Sequence, residues 1–349
     1  MMSTQQIPVG YDFIFAKLHG MWANAAQNQQ LYDLAKSATE ENFLHQLGDY
    51  GLANVTQNTF RQKVQERQFV LLHKVRQYVI PSISRHLEAK IENIADENLK
   101  VLFNYHFFPD QDNNIEDLLI DIPNRDYKKK AIFEAKTAEE FLNALPPCVD
   151  SAAVRQIVLQ LEKDHDIMRA EAALDQLAYQ YELKTAHELP FSLRRAATSL
   201  VQFEIDTTNC LMLLRNANNY HFPLQQLQFF WIHGGTKLAS KDLKIYHKIE
   251  SVSELIHALP LFFQELLQPY AEQDLYHCEH VLWNRMYNET LKLFRNFNKP
   301  ILSIIAFPYL LHFETINLNR IFEGIRFALP DDEIINMMIG KEEKSHTRS

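Results

Sequence analysis

Residues 137–145 read Thr137-Ala138-Glu139-Glu140-Phe141-Leu142-Asn143-Ala144-Leu145. The hydroxyl of the first residue can cap a helix, and the acid at the fourth position can reach back to it in a capping box. Two adjacent apolar residues then meet a Leu three and four positions later, which places one apolar stripe on a short helix. This stretch therefore predicts a short, capped, amphipathic α-helix.

The same phrase occurs twice more in the chain. The other copies are Thr39-Glu40-Glu41-Asn42-Phe43-Leu44-His45-Gln46-Leu47 and Ser251-Val252-Ser253-Glu254-Leu255-Ile256-His257-Ala258-Leu259. Only the copies at 137 and 251 carry Glu at the capping-box position. The first residues of successive copies are 98 and 114 residues apart, which indicates an internal repeat of about one hundred residues.

A second phrase, an acid followed three residues later by Asn and then by apolar residues, recurs downstream of the first. It occurs at 206–215 and 314–323, and more loosely at 111–119, where Gln111 replaces the acid. Residues i and i+3 share a helix face, so each acid and its Asn form a polar pair on an apolar helix. We expect these pairs to fix helices by hydrogen bonds within each domain; the alternative is that they bond a partner on another helix or line a cavity. The candidate repeat-motif residues are Asp206, Asn209, Arg215, Glu314, Asn317 and Arg320.

The composition predicts an all-α fold. Only 8 Gly and 13 Pro interrupt 349 residues that are 46% hydrophobic, which is typical of helices joined by short loops. Long amphipathic patterns cover Phe60–Val79, Val154–Leu183 and Leu275–Phe297, and breaks are expected at Pro123, Pro190, Pro223 and Gly234-Gly235. We predict three similar helical domains, at 1–125, 126–235 and 236–340, and a disordered polar tail at 341–349.

Charge and cysteine usage exclude several classes of protein. A net charge of −9 argues against a nucleic-acid binder, and the basic run Lys128-Lys129-Lys130 is interpreted as a solvated face. Cys148, Cys210 and Cys278 form no CxxC pair, which favours a reducing, cytoplasmic setting. Residues 1–10 lack the features of a signal peptide, and the apolar stretch 301–313 is too short to span a membrane.

Two clusters resemble metal or catalytic sites. His165-Asp166 resembles the adjacent His-Asp pair of metal-dependent phosphohydrolases, but its charged neighbours favour an exposed helix face. In Tyr276-His277-Cys278-Glu279-His280, the two histidines share a helix face, but no third ligand follows at a recognisable spacing. Gly234-Gly235-Thr236 lacks the frame of a phosphate-binding loop. We therefore expect no catalytic residue, metal, cofactor or small-molecule ligand, and no binding of ATP.

Several stretches resemble the C subunit in the central stalk of V-type and A-type rotary ATPases, which is known as the d subunit in eukaryotic enzymes. Phe203–Arg215 with Trp231–Leu238 resembles its middle repeat, in which an acid-x-x-Asn helix and an Arg precede a Gly-Gly turn. Glu314–Ile335 is similar to its final repeat, and Tyr11–Leu18 to its opening helix. The chain departs from the family pattern at Gln111, and at His233, where Pro is more usual.

The resemblance implies a funnel of three similar helical domains on the cytoplasmic face of the membrane rotor ring. It implies a non-catalytic, peripheral protein that couples the central shaft to the ring during proton or sodium transport. The expected partners are the shaft subunits and the ring, with no membrane span of its own. A generic helical scaffold, and a phosphohydrolase that uses His165 and Asp166, are the alternatives.

Overall fold

A computed structural model describes residues 10–108, 119–122, 129–146 and 150–340. Within these ranges the chain forms α-helices and no β-strand, which confirms the all-α prediction. The helices are α1 (Tyr11–Ala23), α2 (Gln29–Ala35), α3 (Glu40–Gln46), α4 (Phe60–Arg76), α5 (Pro81–Phe107), α6 (Lys129–Glu134), α7 (Ala138–Ala144), α8 (Ser151–Asp164), α9 (Ile167–His187), α10 (Phe191–Arg215), α11 (Leu224–Phe230), α12 (Leu243–Tyr246), α13 (Val252–Ala258), α14 (Leu261–Leu267), α15 (Leu275–Phe294), α16 (Leu302–Arg326) and α17 (Asp331–Met337). Short 3₁₀ turns cover 47–50, 240–242 and 268–270, and a π turn covers 216–220.

The described residues divide into two compact units. The first unit contains residues 72–278, and the second contains residues 10–71 together with 279–340. The N-terminal and C-terminal parts of the described chain therefore fold together in the second unit. The three predicted domain boundaries stay a prediction.

In the first unit, three long helices pack side by side. Helix α9 packs against both α5 and α10. Arg85, early in α5, bonds to Glu188 just past the end of α9, and Asn104, late in α5, bonds to Glu171 early in α9. The two helices are therefore antiparallel, and since α10 follows α9 after three residues, α5 and α10 begin at the same end of the unit.

The core of the first unit gathers around the C-terminal half of α5. Leu102 and Phe103 are buried there with Phe141 of α7 and Val158 of α8. In the second unit, the core joins α2, α3 and α4 to α16 and α17. Its centre is a group of three buried rings, Phe43, Phe60 and Phe322, whose centroids lie 4.4 to 6.0 Å apart.

All three repeated phrases form the short capped helices that the sequence predicts. The Thr39 and Thr137 hydroxyls accept from the third backbone N–H of α3 and α7 at 3.2 Å, and the Ser251 hydroxyl accepts likewise in α13 at 3.5 Å. Glu140 reaches back past the cap residue and accepts from the backbone N–H of Lys136. The N-cap by the Thr137 hydroxyl is therefore confirmed. Glu140, however, bonds to the N–H of Lys136 and not to the N–H of the cap residue Thr137.

One long helix prediction was wrong. Residues 154–183 form two helices, because α8 ends at Asp164 and α9 begins at Ile167. His165 takes the left-handed conformation, with φ +52°, and Asp166 caps α9 by accepting from the Arg169 N–H at 3.0 Å. The left-handed conformation of His165 ends α8, and the N-cap at Asp166 starts a new helix. These two local effects break the helix although the apolar spacing continues through them.

The other predicted breaks and helices agree better with the structure. Pro190 and Pro223 stand directly before α10 and α11, and Gly234-Gly235 lies in a turn, as expected. The patterns that start at Phe60 and Leu275 form helices that end at Arg76 and Phe294, three residues before the predicted ends. Pro123, Cys148, Lys128, the phrase at 111–118 and the tail at 341–349 lie outside the described residues.

Candidate functional site

Asn209 binds an extended segment of backbone from its place on α10. Its amide nitrogen donates to the Ile232 carbonyl at 2.8 Å, and its amide oxygen accepts from the Ile232 N–H at 3.0 Å. An Asn side chain ends in the same amide as a peptide unit, so it can satisfy both polar groups of a residue that has no helix or strand partner. We call such a doubly bonded pair, here Asn209 with Ile232, an asparagine clamp.

Asp206, one turn earlier on α10, holds the Gly-Gly turn that follows this clamp. Its buried carboxylate accepts from three successive backbone N–H groups, those of Thr236 and Lys237 at 2.9 Å and that of Leu238 at 3.1 Å. A Cβ atom on Gly235 would lie 2.2 Å from the carboxylate, so only Gly fits there. Asp206 and Asn209 thus fix residues 232–238 against α10, which is an intra-unit role.

A second asparagine clamp joins α16 to the last described residues of the second unit. The amide of Asn317 donates to the Ile339 carbonyl at 2.8 Å and accepts from its N–H at 2.7 Å. Arg320 donates to the Met337 carbonyl at 2.6 Å and forms an ion pair with Glu279. Residues 337–339 are therefore attached to α16 by two predicted motif residues.

Glu314 has different partners from Asp206, although it occupies the same position in the phrase. Its carboxylate accepts from Arg67 of α4 and from the Ala26 N–H, each at 2.7 Å. Burial raises the pKa of Glu314, and the Arg67 guanidinium opposes that shift. The carboxylate therefore ties residues 26 and 67 to α16, within the second unit.

A third asparagine clamp was missed by sequence reasoning. Asn98 of α5 donates to the Ile120 carbonyl and accepts from its N–H, both at 2.8 Å. The residue three positions before it is Ala95, so the acid-x-x-Asn pattern does not mark it. The spacing to the partner could have identified it, because each clamp joins Asn to an Ile that lies 22 or 23 residues later in the sequence.

Each clamped helix also contacts one of the short capped helices. Phe103, five residues after Asn98, has its ring 6.1 Å from that of Phe141 in α7. Phe322, five residues after Asn317, has its ring 6.0 Å from that of Phe43 in α3. Helix α10 is likewise in contact with the capped helix α13. The N-terminal copy of the capped phrase is therefore packed on the C-terminal clamped helix.

A buried ion cluster locks the long helices of the first unit together. Lys90 of α5 forms ion pairs with Glu182 of α9 at 2.5 Å and with Glu204 of α10 at 3.0 Å, and Asn93 also donates to Glu182. Burial lowers the pKa of Lys90, but the two carboxylates more than offset this and raise it. The ammonium thus stays charged and fully paired.

The residues singled out as possible ligands take structural positions. His165 and Asp166 form the exposed break between α8 and α9, and His277 stacks on Tyr270 with centroids 6.4 Å apart. In the described part of the chain, no group of three His, Cys, Asp or Glu residues is placed to hold a metal ion. Burial raises the pKa of Cys210, and that of Cys278 to about 11. Arg215 is exposed at the end of α10.

The contacts described above are internal to each unit. The clamps and the ion cluster bond to backbone and side chains of their own unit, so they stabilise an all-helical fold. None of the described helices combines the length and apolar character needed to cross a bilayer.

Residues 14–337 match the model of the ATP synthase (C/AC39) subunit family, and the chain belongs to this family. It is thus a subunit of the V/A-type rotary ATPases, as the resemblance implied. A comparison with curated proteins finds no significant match.

Proposed function

We propose that the chain is a non-catalytic central-stalk subunit that couples the rotating shaft of a rotary ATPase to the membrane rotor ring. The observation that carries the proposal is the family match over residues 14–337. The transported ion would be a proton or sodium, and the chain would lie peripherally on the cytoplasmic face, held there through the ring. Its partners would be the shaft subunits and the ring.

The internal construction suits a part that transmits torque. Packed interiors are poorly compressible and transmit strain, and buried clamps limit sliding between a helix and the segment attached to it. Asn98, Asn209 and Asn317 place one such clamp on each of three long helices. These contacts support the proposal that the chain stiffens each helical part separately.

We also propose that the three clamped helices mark the internal repeat. Asn98 and Asn209 are 111 residues apart, and Asn209 and Asn317 are 108 apart, which is more regular than the intervals of the capped phrase. Each repeat would contain a clamped helix, its clamped Ile and one capped helix. The capped helix of the last repeat would be α3, from the beginning of the chain.

The alternatives make different predictions. A generic scaffold shares the fold but binds unrelated partners. A metal phosphohydrolase would need His165 and Asp166 as ligands, yet the Asp166 carboxylate already accepts the Arg169 N–H as a helix cap. Stoichiometric metal, with phosphoesterase turnover lost in Asp166→Ala, would favour that reading.

Affinity purification of the tagged full chain from native membranes tests the proposal. We expect shaft and ring subunits to co-purify through interfaces above about 1,000 Å² each. We expect the isolated chain to hydrolyse neither ATP nor phosphate esters. The stalk proposal would be contradicted if the membranes contain intact ATPase but none of its subunits co-purifies with the tagged chain.

A further inference from the structure

One end of the first unit presents hydrophobic side chains to solvent where α5 and α10 begin. Phe191, the first residue of α10, is 90% exposed, and Ile80, which precedes α5, is 43% exposed. The ion pair between Arg85 and Glu188, at 2.7 Å, shows that these two helix starts lie at the same end of the unit. This end of the unit thus presents two exposed apolar side chains.

Phe191 is held firmly in its exposed position. Leu189 and Leu193, two residues before and after it, are fully buried. The Pro190 carbonyl accepts from the Leu193 and Arg194 N–H groups at 2.9 and 3.0 Å. The ring therefore projects from a fixed helix start.

The same end is basic, although the chain as a whole is acidic. Residues 74–88 and 184–195 contain six Lys and Arg residues and two Glu residues, within a chain of net charge −9. The six are Lys74, Arg76, Arg85, Lys184, Arg194 and Arg195. Arg194 and Arg195 are exposed on the first turn of α10, close to Phe191. Because Arg76 and Arg85 pair with Glu88 and Glu188, the excess positive charge of these segments comes from the other four residues.

The start of the clamped helix in the second unit has the same character. Phe297, in the turn before α16, is 76% exposed and stands between Arg295 and Lys299. Residues 290–301 contain no acidic residue. An exposed Phe with flanking basic residues therefore precedes or opens a clamped helix in both units.

We propose that these helix starts bind the surface of an anionic phospholipid bilayer. Aromatic rings partition into the interfacial region of a bilayer, and Arg side chains pair with phosphate groups in a bidentate manner. Basic residues near an anionic membrane each add to the attraction. The charge of both helix starts is complementary to such a surface.

A bilayer suits this surface better than a protein partner does. Apolar hot spots of protein interfaces are well packed and surrounded by contacts that exclude water, whereas Phe191 and Ile80 are exposed side chains at helix starts whose next residues include the exposed Arg85, Arg194 and Arg195. A lipid interface accepts isolated projecting rings without a matching pocket. The inference does not depend on the stalk proposal, because lipid binding is measured on the isolated chain.

Cosedimentation of the full chain with sucrose-loaded vesicles tests the inference. We expect binding to vesicles in which about a third of the lipid is phosphatidylserine, and much weaker binding to phosphatidylcholine alone. The double variant Arg194→Gln/Arg195→Gln should bind at least about tenfold more weakly, and Phe191→Ser about threefold more weakly. The double variant Arg295→Gln/Phe297→Ser tests the second unit in the same way.

The chain offers a matched control. Phe327 is 67% exposed just after the end of α16, and Arg326 lies over its ring at 5.4 Å. Arg326→Gln/Phe327→Ser removes the same residue types at the opposite end of a clamped helix and should leave vesicle binding unchanged. Brominated acyl chains should quench the fluorescence added by Phe191→Trp but not that added by Phe327→Trp.

Three results would overturn the inference. The first is equal binding of the wild-type chain to both kinds of vesicle, or no binding to either. The second is an equal loss in the Phe191 and Phe327 variants. The third is that brominated lipid does not quench the Phe191→Trp variant, while detergent-solubilised ATPase subunits shield its added Trp from a water-soluble quencher, which would identify a protein-docking surface.

Discussion

The side chain of Asn209 pairs with the backbone of Ile232 through two hydrogen bonds, as a residue of a neighbouring β-strand would. The pair is buried, and the extended segment on which Ile232 lies has no strand partner in the described chain. One side chain therefore supplies the bonding that a sheet would otherwise provide.

Replacement of Asn209 by Leu should destabilise the chain by about 2–5 kcal/mol, because it leaves the buried N–H and C=O groups of Ile232 unsatisfied. Leu keeps the branched arrangement of four side-chain heavy atoms but has no hydrogen-bonding group, so the variant removes both hydrogen bonds of the clamp. The measurement is the urea midpoint followed by circular dichroism. Asn42→Leu, at an exposed position of α3, should shift the midpoint little, and equal shifts in the two variants would contradict a clamp.

Gly235 should tolerate no larger residue. An added Cβ would lie 2.2 Å from the Asp206 carboxylate oxygen, so Gly235→Ala should displace the turn and cost about 1–3 kcal/mol. Gly20→Ala is the control, since a Cβ on this residue of α1 meets nothing within 4 Å. That variant should be more stable than wild type by about 0.5–1 kcal/mol. Thermal unfolding of both variants would show whether the two shifts have opposite signs.

The buried pair of Arg67 and Glu314 should show strong coupling. Arg67→Met leaves a buried carboxylate without its counter-ion and should cost about 3–5 kcal/mol. Glu314→Gln in the same chain should recover much of that loss, because a neutral amide can still accept the Ala26 N–H. A double-mutant cycle by urea unfolding measures the coupling, and additive losses would contradict it.

Acidification should also reduce the loss of stability caused by Arg67→Met. Burial already raises the pKa of Glu314 above its unfolded value, and loss of Arg67 removes the group that opposes this shift. The folded state then takes up a proton before the unfolded state does, so stability rises as pH falls through the folded pKa. The difference between variant and wild type should therefore shrink toward lower pH.

Local signals predicted much of the fold. An N-cap hydroxyl bonds to a backbone N–H only three residues later, so it can be recognised from local sequence. The starts of three short helices were predicted in this way from Thr39, Thr137 and Ser251. Sequence reasoning singled out both Asp206 and the Gly-Gly turn but not the hydrogen bonds that join Asp206 to the residues after Gly235.

Long-range partners could not be predicted in the same way. Asp206 and Glu314 occupy the same position in the phrase, yet one binds a loop about 30 residues later and the other binds Arg67, which is 247 residues away. Only tertiary packing decides between these partners. The acid-x-x-Asn pattern also failed to predict Asn98, because the bond that Asn98 makes to Ile120 does not require an acid one turn before it. The break at His165 depends on a single backbone conformation that apolar periodicity does not encode.

His86 should make the chain less stable in mild acid. Its Nδ1 atom lies 3.0 Å from the Thr185 hydroxyl, which already donates its proton to the Glu182 carbonyl, so Nδ1 must be the donor. Burial lowers the pKa of His86 to about 4, with Glu182 opposing this shift and Lys90 adding to it. Between the unfolded pKa of 6.5 and about 4, the unfolded chain binds a proton that the folded chain does not.

The contribution of His86 is thus fully present above pH 6.5 and is lost as the pH falls to about 4, a change of about 3 kcal/mol. His86→Gln keeps a donor for Thr185 but does not titrate, so the loss of stability between these pH values should be smaller by that amount. Urea unfolding of wild type and variant across this range measures the slope. His187→Gln, at an exposed residue of α9, should keep the wild-type slope. Parallel curves for His86→Gln and wild type would show that the imidazole takes up its proton without loss of the fold, because its surroundings open to water in acid.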